Sequence, residues 1–270
     1  MQYGVRVENG VLRAEEPDDL QGLITRVLTP VRNTSAVSTV AWERTEAFEW
    51  NGGTIAYWLS GTGPTVLLVH GWDSTHADLD AFVAPLLARG LRVAALDLPA
   101  HGASGGETAT LADCAGAIAA LGARLGPVTG VIAHSAGCPS TALALERGWR
   151  CDRVVLIGTP ERYERFLRWF AGEAGVPFES LVAGFRARGI DVATFDLPRT
   201  AAGLDVPALV VHSADDRACE LRGARAVAAA WPGSEFLEVD GLGHMRILRD
   251  ANVIARVVAF VAAAQQQAVS

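Results

Sequence analysis

The chain contains no lysine; all 23 of its basic residues are arginine. Chemistry that needs an amine at a fixed position is thereby excluded, including P-loop nucleotide hydrolysis, kinase phosphoryl transfer, Schiff-base catalysis and the Ser-x-x-Lys acyl-transfer motif. Cysteine is scarce. Cys114, Cys138, Cys151 and Cys219 are scattered with no Cys-x-x-Cys spacing, which argues against a disulfide framework or a zinc site and fits a reducing compartment. No apolar run approaches the roughly 18 residues that a spanning helix needs. The start, Met1-Gln2-Tyr3-Gly4-Val5-Arg6, has no basic segment followed by an apolar one, so a soluble, cytoplasmic protein is expected, with no membrane partner. Acidic residues outnumber basic ones, 30 to 23, for a net charge of −7. With no cluster of arginines to grip a phosphate backbone, nucleic acid is not an expected partner.

What is present is apolar residues, at 50%, and glycine, at 28 positions in 270. That is enough to bury a large core, and α/β folds routinely spend this length on one domain with insertions. Val66–Val69, Leu91–Leu96, Val128–Ala133, Val154–Ile157 and Ala208–Val211 are apolar on both faces, as strands of a buried parallel sheet should be. Glu235–Val239 reads as one more. Helix patterns lie between them, with recognisable ends: Ser74 or Thr75 as a cap with Gly90 closing, Thr110 as a cap, and Gly148 after Ala142–Leu145. This βαβ series predicts an α/β fold, a mostly parallel doubly wound sheet with helices on both faces. Ahead of it, Phe48 to Trp58 with Asn51-Gly52 at the centre reads as an antiparallel hairpin. Asn9-Gly10 suggests another turn.

The alternation breaks between Pro160 and Leu204. Tyr163, Phe166, Leu167 and Phe170 fall at helical spacing, as do Phe178, Leu181, Val182 and Phe185, so two amphipathic helices are expected. Their aromatic content and their place after a parallel strand suggest a helical cap at 160–204, inserted into a core of 47–159 and 205–265. Six arginines balance six acidic residues there, so the insertion creates no net field. Residues 1–46 form an N-terminal extension without a functional signal.

The chemistry is carried by Ala133-His134-Ser135-Ala136-Gly137, directly after a buried strand and before a helix. A serine between small residues in that context reads as a nucleophile elbow, because the sharp turn leaves room only for minimal side chains two positions either side. Ala133 stands where glycine is more usual, and Pro139 falls in the first helical turn, where a missing N–H costs nothing. Eighty-one residues on, Ser213-Ala214-Asp215-Asp216 puts a carboxylate at the tip of a later strand; 28 further on, Gly241-Leu242-Gly243-His244 places a histidine on a glycine-flexible loop.

In that order the chain resembles the α/β-hydrolase fold superfamily, of the single-chain esterase or serine aminopeptidase-like type, over roughly residues 47–263. Val69-His70-Gly71-Trp72 is similar to the family's oxyanion loop, and Asp97-Leu98-Pro99-Ala100-His101-Gly102-Ala103-Ser104 to its Asp-x-x-Gly-x-Gly-x-Ser loop in a Pro-x-His-Gly variant. The resemblance implies that Ser135 is the nucleophile, His244 the general base and later acid, and Asp216 the carboxylate that orients the imidazole, with Asp215 as its competitor. It also implies that the backbone N–H groups of Trp72 and Ala136 form the oxyanion hole. Independently, a serine hydroxyl at neutral pH needs a base during attack, and an imidazole titrates in the right range. The other histidines read structurally: His70 and His101 brace loops, His134 packs beside the elbow, His76 starts a helix and His212 ends a strand.

A serine rather than an aspartate at the elbow points to acyl chemistry on a small or medium carboxylic ester. Thioester hydrolysis, acyl transfer and carbon–carbon bond hydrolysis use the same machinery, and a hydrolase-like small-molecule binding protein is an alternative from another class. No cofactor is implied: no Gly-x-Gly-x-x-Gly turn follows the first strand, and no histidine spacing suits a metal. Monomer and homodimer are both compatible.

Overall fold

The computed structural model describes residues 6–8, 11–13, 20–32 and 37–264. β1 (Arg6–Glu8) and β2 (Val11–Arg13) pair antiparallel as a separate ladder; the turn expected at Asn9-Gly10 lies outside the described residues. The remaining strands are β3 (Arg44–Trp50), β4 (Gly53–Ser60), β5 (Thr65–Val69), β6 (Arg92–Leu96), β7 (Val128–His134), β8 (Val154–Ile157), β9 (Ala208–Ser213) and β10 (Glu235–Val239). They form one sheet in the order β10-β9-β8-β7-β5-β6-β4-β3. The six strands from β10 to β6 run parallel, and β4 and β3 are antiparallel. Every residue of β5, β7, β8 and β9 is buried, the two-sided burial that an unbroken apolar run demands. The β3–β4 turn holds Asn51 at φ 47° and Gly52 at φ 77°, the two positive φ angles of a tight hairpin.

The helices are α1 (Leu20–Leu28), α2 (Val83–Leu87), α3 (Leu111–Leu125), α4 (Gly137–Glu146), α5 (Tyr163–Ala174), α6 (Phe178–Ala187), α7 (Leu197–Ala201), α8 (Leu221–Ala230), α9 (Gly243–Arg246) and α10 (Ala251–Ala262). After β5 the chain steps one way, to β6, and then returns across β5 to β7 and onward to β10. Because parallel crossovers are right-handed as a rule, this reversal of direction sets helices on both faces. Thr110 caps α3 in a full capping box with Asp113. The helix expected between Ser74 or Thr75 and Gly90 divides instead into a 3₁₀ turn, His76–Phe82, and the short α2. Pro85 explains the division: within one continuous helix its ring would clash with a carbonyl one turn earlier, whereas in the first turn of a new helix it costs nothing.

The chain forms two compact units. The larger holds the sheet and comprises the described residues of Pro30–Arg162 and Phe195–Ser270. The smaller comprises the described residues of Met1–Thr29 with Tyr163–Thr194. In it the two helices expected from the spacing, α5 and α6, pack with α1 around Ile24, Leu167, Leu181 and Phe185. Arg188 ties α6 to α1 through Gln21 and Thr25. Among the described residues no helix is long and apolar enough to cross a membrane.

Candidate active site

Because the central strands are parallel, their carboxyl ends share one edge, and each candidate residue leaves the sheet there. His70 to Trp72 follow β5, Asp97 follows β6, Ser135 follows β7, Gly158 follows β8, Asp216 follows β9, and His244 follows β10. The chain reverses its stepping direction between β5 and β7, the neighbouring strands that carry Trp72 and Ser135. Such a switch point opens a crevice where open α/β sheets bind ligands.

Ser135 has a left-handed backbone, φ 51°, a conformation that costs a side-chain-bearing residue about 1–3 kcal/mol and persists only where the surroundings impose it. Here they do. Its N–H donates to Ile157 O at 3.0 Å, and its carbonyl accepts from Cys138 N at 2.9 Å, starting α4. The residue remains partly accessible. Ala136 follows with helical φ −60°.

His244 Nδ1 donates to Asp216 Oδ2 at 2.7 Å, with the carboxylate side chain 1% exposed and the imidazole 17%. The other carboxylate oxygen accepts from the N–H groups of Ala218 (2.8 Å) and Cys219 (2.9 Å). Burial alone would raise the Asp216 carboxyl, but the His244 hydrogen bond and charge, with those two amides, hold it below its ordinary range. Asp215 turns the other way: it accepts from Ser213 Oγ at 2.5 Å and from Gly243 N at 2.8 Å, and faces Arg246 at 3.6 Å. It organises the turn into α9, the short helix that carries His244 in place of the expected loop, whereas Asp216 meets the imidazole. His212 Nε2 donates to Cys219 O at 2.9 Å and so fixes the turn after Asp216.

On the opposite side, Leu98 N donates to His70 Nε2 at 2.9 Å, which leaves the ring proton on Nδ1, and Nδ1 donates to Gly71 O at 2.6 Å. That bond fixes the Gly71–Trp72 peptide. Neither the Trp72 nor the Ala136 N–H has a backbone acceptor among the described residues, which is the condition of a donor held ready for developing negative charge. His101 donates from Nδ1 to Pro99 O at 2.8 Å and stands edge-on to Trp72, ring centroids 4.9 Å apart. Burial, then the charge of His70, lower its pKa to about 3. Asp97 accepts from His76 N (2.8 Å), His76 Nδ1 (2.9 Å) and Ala103 N (2.8 Å). His76, expected only to open a helix, thus also anchors this loop, with Trp58 stacked on its ring at 3.5 Å. The Cys219 and Ala218 amides had no readable signal in the sequence, since any residue supplies a backbone N–H.

The model of the alpha/beta hydrolase family matches residues 66–257. A pimeloyl-[acyl-carrier protein] methyl ester esterase of Xanthomonas campestris pv. campestris (strain B100) is 29% identical over 246 residues, covering 75% of this chain and 97% of that relative. Among solved structures, a bromoperoxidase from Bacillus anthracis superposes with TM-score 0.65 at 18% identity, covering 81% of this chain and 99% of that one. A hydrolase from Pseudomonas aeruginosa PA01 gives 0.64 at 20%, covering 81% and 98%. Both likenesses are of fold. Since the family model spans far more than half of the sequence, the chain belongs to the alpha/beta hydrolase family.

Proposed function

We propose that the protein is a serine esterase that cleaves a carboxylic ester through an acyl-enzyme on Ser135. The observation that carries this reading is the 2.7 Å His244–Asp216 pair at the sheet edge that also presents Ser135 at φ 51°. In the proposed cycle, His244 Nε2 takes the Ser135 hydroxyl proton as Oγ attacks the ester carbonyl. Asp216 keeps Nδ1 protonated and stabilises the imidazolium. The tetrahedral oxyanion accepts from the Trp72 and Ala136 N–H groups, donors of a kind typically worth about 3 kcal/mol each. Its collapse breaks the bond to the alkoxy oxygen, which leaves as the alcohol with the proton from His244. Water, deprotonated by His244, then attacks the acyl carbon, and Ser135 is released with the free acid.

The named relative acts on a methyl ester, which makes methyl esters of acyl chains the first substrate class to try. The test is turnover of p-nitrophenyl and methyl esters of graded chain length, with product analysis in added alcohol. The expected result is free acid, with turnover lost by at least ~10³-fold in Ser135→Ala. Ligand-dependent stabilisation without turnover would favour a binding protein instead, and transfer products would favour an acyltransferase.

A further inference from the structure

We infer that His134, the residue before the proposed nucleophile, positions the general base by holding the main chain of His244 through its own imidazole. The inference rests on the reading of Ser135 and His244 as nucleophile and base, and it adds a residue to which that reading gives no role.

His134 ends β7 and is 1% exposed. Its Nε2 lies 3.0 Å from His244 O. A carbonyl only accepts, so Nε2 carries the ring proton and Nδ1 is bare. The two rings face each other with centroids 4.7 Å apart, tilted by 45°. His244 is thus held twice, by Asp216 on its side chain and by His134 on its backbone. The second tie comes from the residue covalently joined to Ser135, so nucleophile and base are linked through one side chain rather than only through the sheet.

Two glycines shape the space for this contact. Gly158, at φ 59°, would bring a Cβ to 3.2 Å from His244 Nδ1 and 3.4 Å from His134 Nε2. On the other side, a Cβ on Gly71 would stand 3.3 Å from His134 Nδ1 and 2.8 Å from Ser135 Cβ. His134 therefore sits between the oxyanion loop and the base, in a slot that two missing side chains create. Its Nδ1 is buried with no hydrogen-bond partner among the described residues. An aliphatic side chain would fill the same volume without stranding a polar atom; what it would lack is the donor aimed at His244. Burial, then the neighbouring His244 charge, lower the His134 pKa to about 3, so the ring remains a neutral donor when His244 becomes an imidazolium in the cycle.

The experiment compares native protein, His134→Leu and His134→Gln, whose amide nitrogen replaces Nε2 as donor, well below their melting temperatures. For His134→Leu the expectation is a kcat reduced ~10–100-fold with KM nearly unchanged, the signature of a misplaced base rather than a lost binding contact. His134→Gln should recover to within about threefold of native. Native kcat in the leucine variant, or equal impairment of both variants, would overturn the inference. Should the leucine variant fail to fold, ¹⁵N shifts of the native imidazoles decide: the Nε2–H tautomer at His134 is required, and an Nδ1–H tautomer overturns the assignment. Absence of Ser135-dependent turnover in the native protein would instead overturn the underlying esterase reading.

Discussion

Two adjacent aspartates divide two tasks at the tip of β9. Asp216 is buried and meets the His244 imidazole, and Asp215 gathers Ser213 and Gly243 at the surface of the same loop. Their separation follows from the turn itself: Asp216 N closes back onto Ser213 O at 3.0 Å, which directs successive side chains apart. Asp216→Asn should lower kcat by ~10³–10⁴-fold, because an amide in place of the carboxylate favours the wrong imidazole tautomer and cannot stabilise an imidazolium. Asp215→Asn should lower it by less than about tenfold, since it removes a support of the loop and not a group on the base. Steady-state kinetics of the two variants on one activated ester checks the assignment; similar losses would contradict it. Of the residues proposed to act, the nucleophile, the base and the carboxylate were all legible in the sequence, each sitting at a strand end that an apolar run announces. The donor role of His134 was not. Its partner is a backbone carbonyl 110 residues away, and a main-chain atom leaves no mark on residue identity.

At the scale of elements, the loop after β6 shows how much of a site is scaffolding. Asp97 fixes it from within through His76 and Ala103, and Ser104 Oγ donates to Asp97 O at 2.6 Å while accepting from Ala56 N at 2.9 Å. From without, the Arg32 guanidinium donates to the carbonyls of Gly102, Ser104 and Gly106. An arginine presents several donors in a fixed fork, which suits it to gathering carbonyls that point outward from one turn. Arg32→Ala should therefore cost about 1 kcal/mol, lower Tm by about 2–4 °C, and speed hydrogen exchange of the amides around Ala103. An unchanged Tm and exchange pattern would show that the loop needs no such tie. The Asp97–Ser104 motif announced this loop, but nothing near Arg32 announced its use, because the contact spans 70 or more residues. For the same reason the segment 1–46 read only as an extension: the apolar face of α1 finds its partners on helices some 140 residues later. The paired hairpin, the Thr110 cap and the insertion helices depend on near neighbours, and these were readable.

The whole molecule carries a pH signature through its buried histidines. His101 and His134 are both lowered to about 3, in each case first by burial, against an ordinary value near 6.5. A histidine whose folded pKa is depressed takes up its proton only on unfolding. Its contribution to stability is complete above about 6.5 and declines as pH falls towards 3, each group adding a slope of about 1.4 kcal/mol per pH unit in that window. Asp216 and Asp97, both below the ordinary carboxylate range, act in the same direction at lower pH, losing their contribution as pH falls through their folded values. Calorimetric Tm should thus be flat from about pH 8 to 7 and fall steadily below 6.5, with a shallower fall in His134→Gln. A Tm that stays level down to pH 4.5 would contradict neutral burial of these rings.

The central claim, that this alpha/beta hydrolase acts through a Ser135 hydroxyl activated by His244, is tested most directly by a fluorophosphonate probe. The native protein and the Ser135→Ala and His244→Ala variants are each exposed to it, and the phosphonylated peptide is located by mass spectrometry. The prediction is one adduct, on Ser135, absent from Ser135→Ala and formed far more slowly in His244→Ala. An adduct elsewhere, equal labelling without His244, or a folded native protein that takes up no probe would contradict the account.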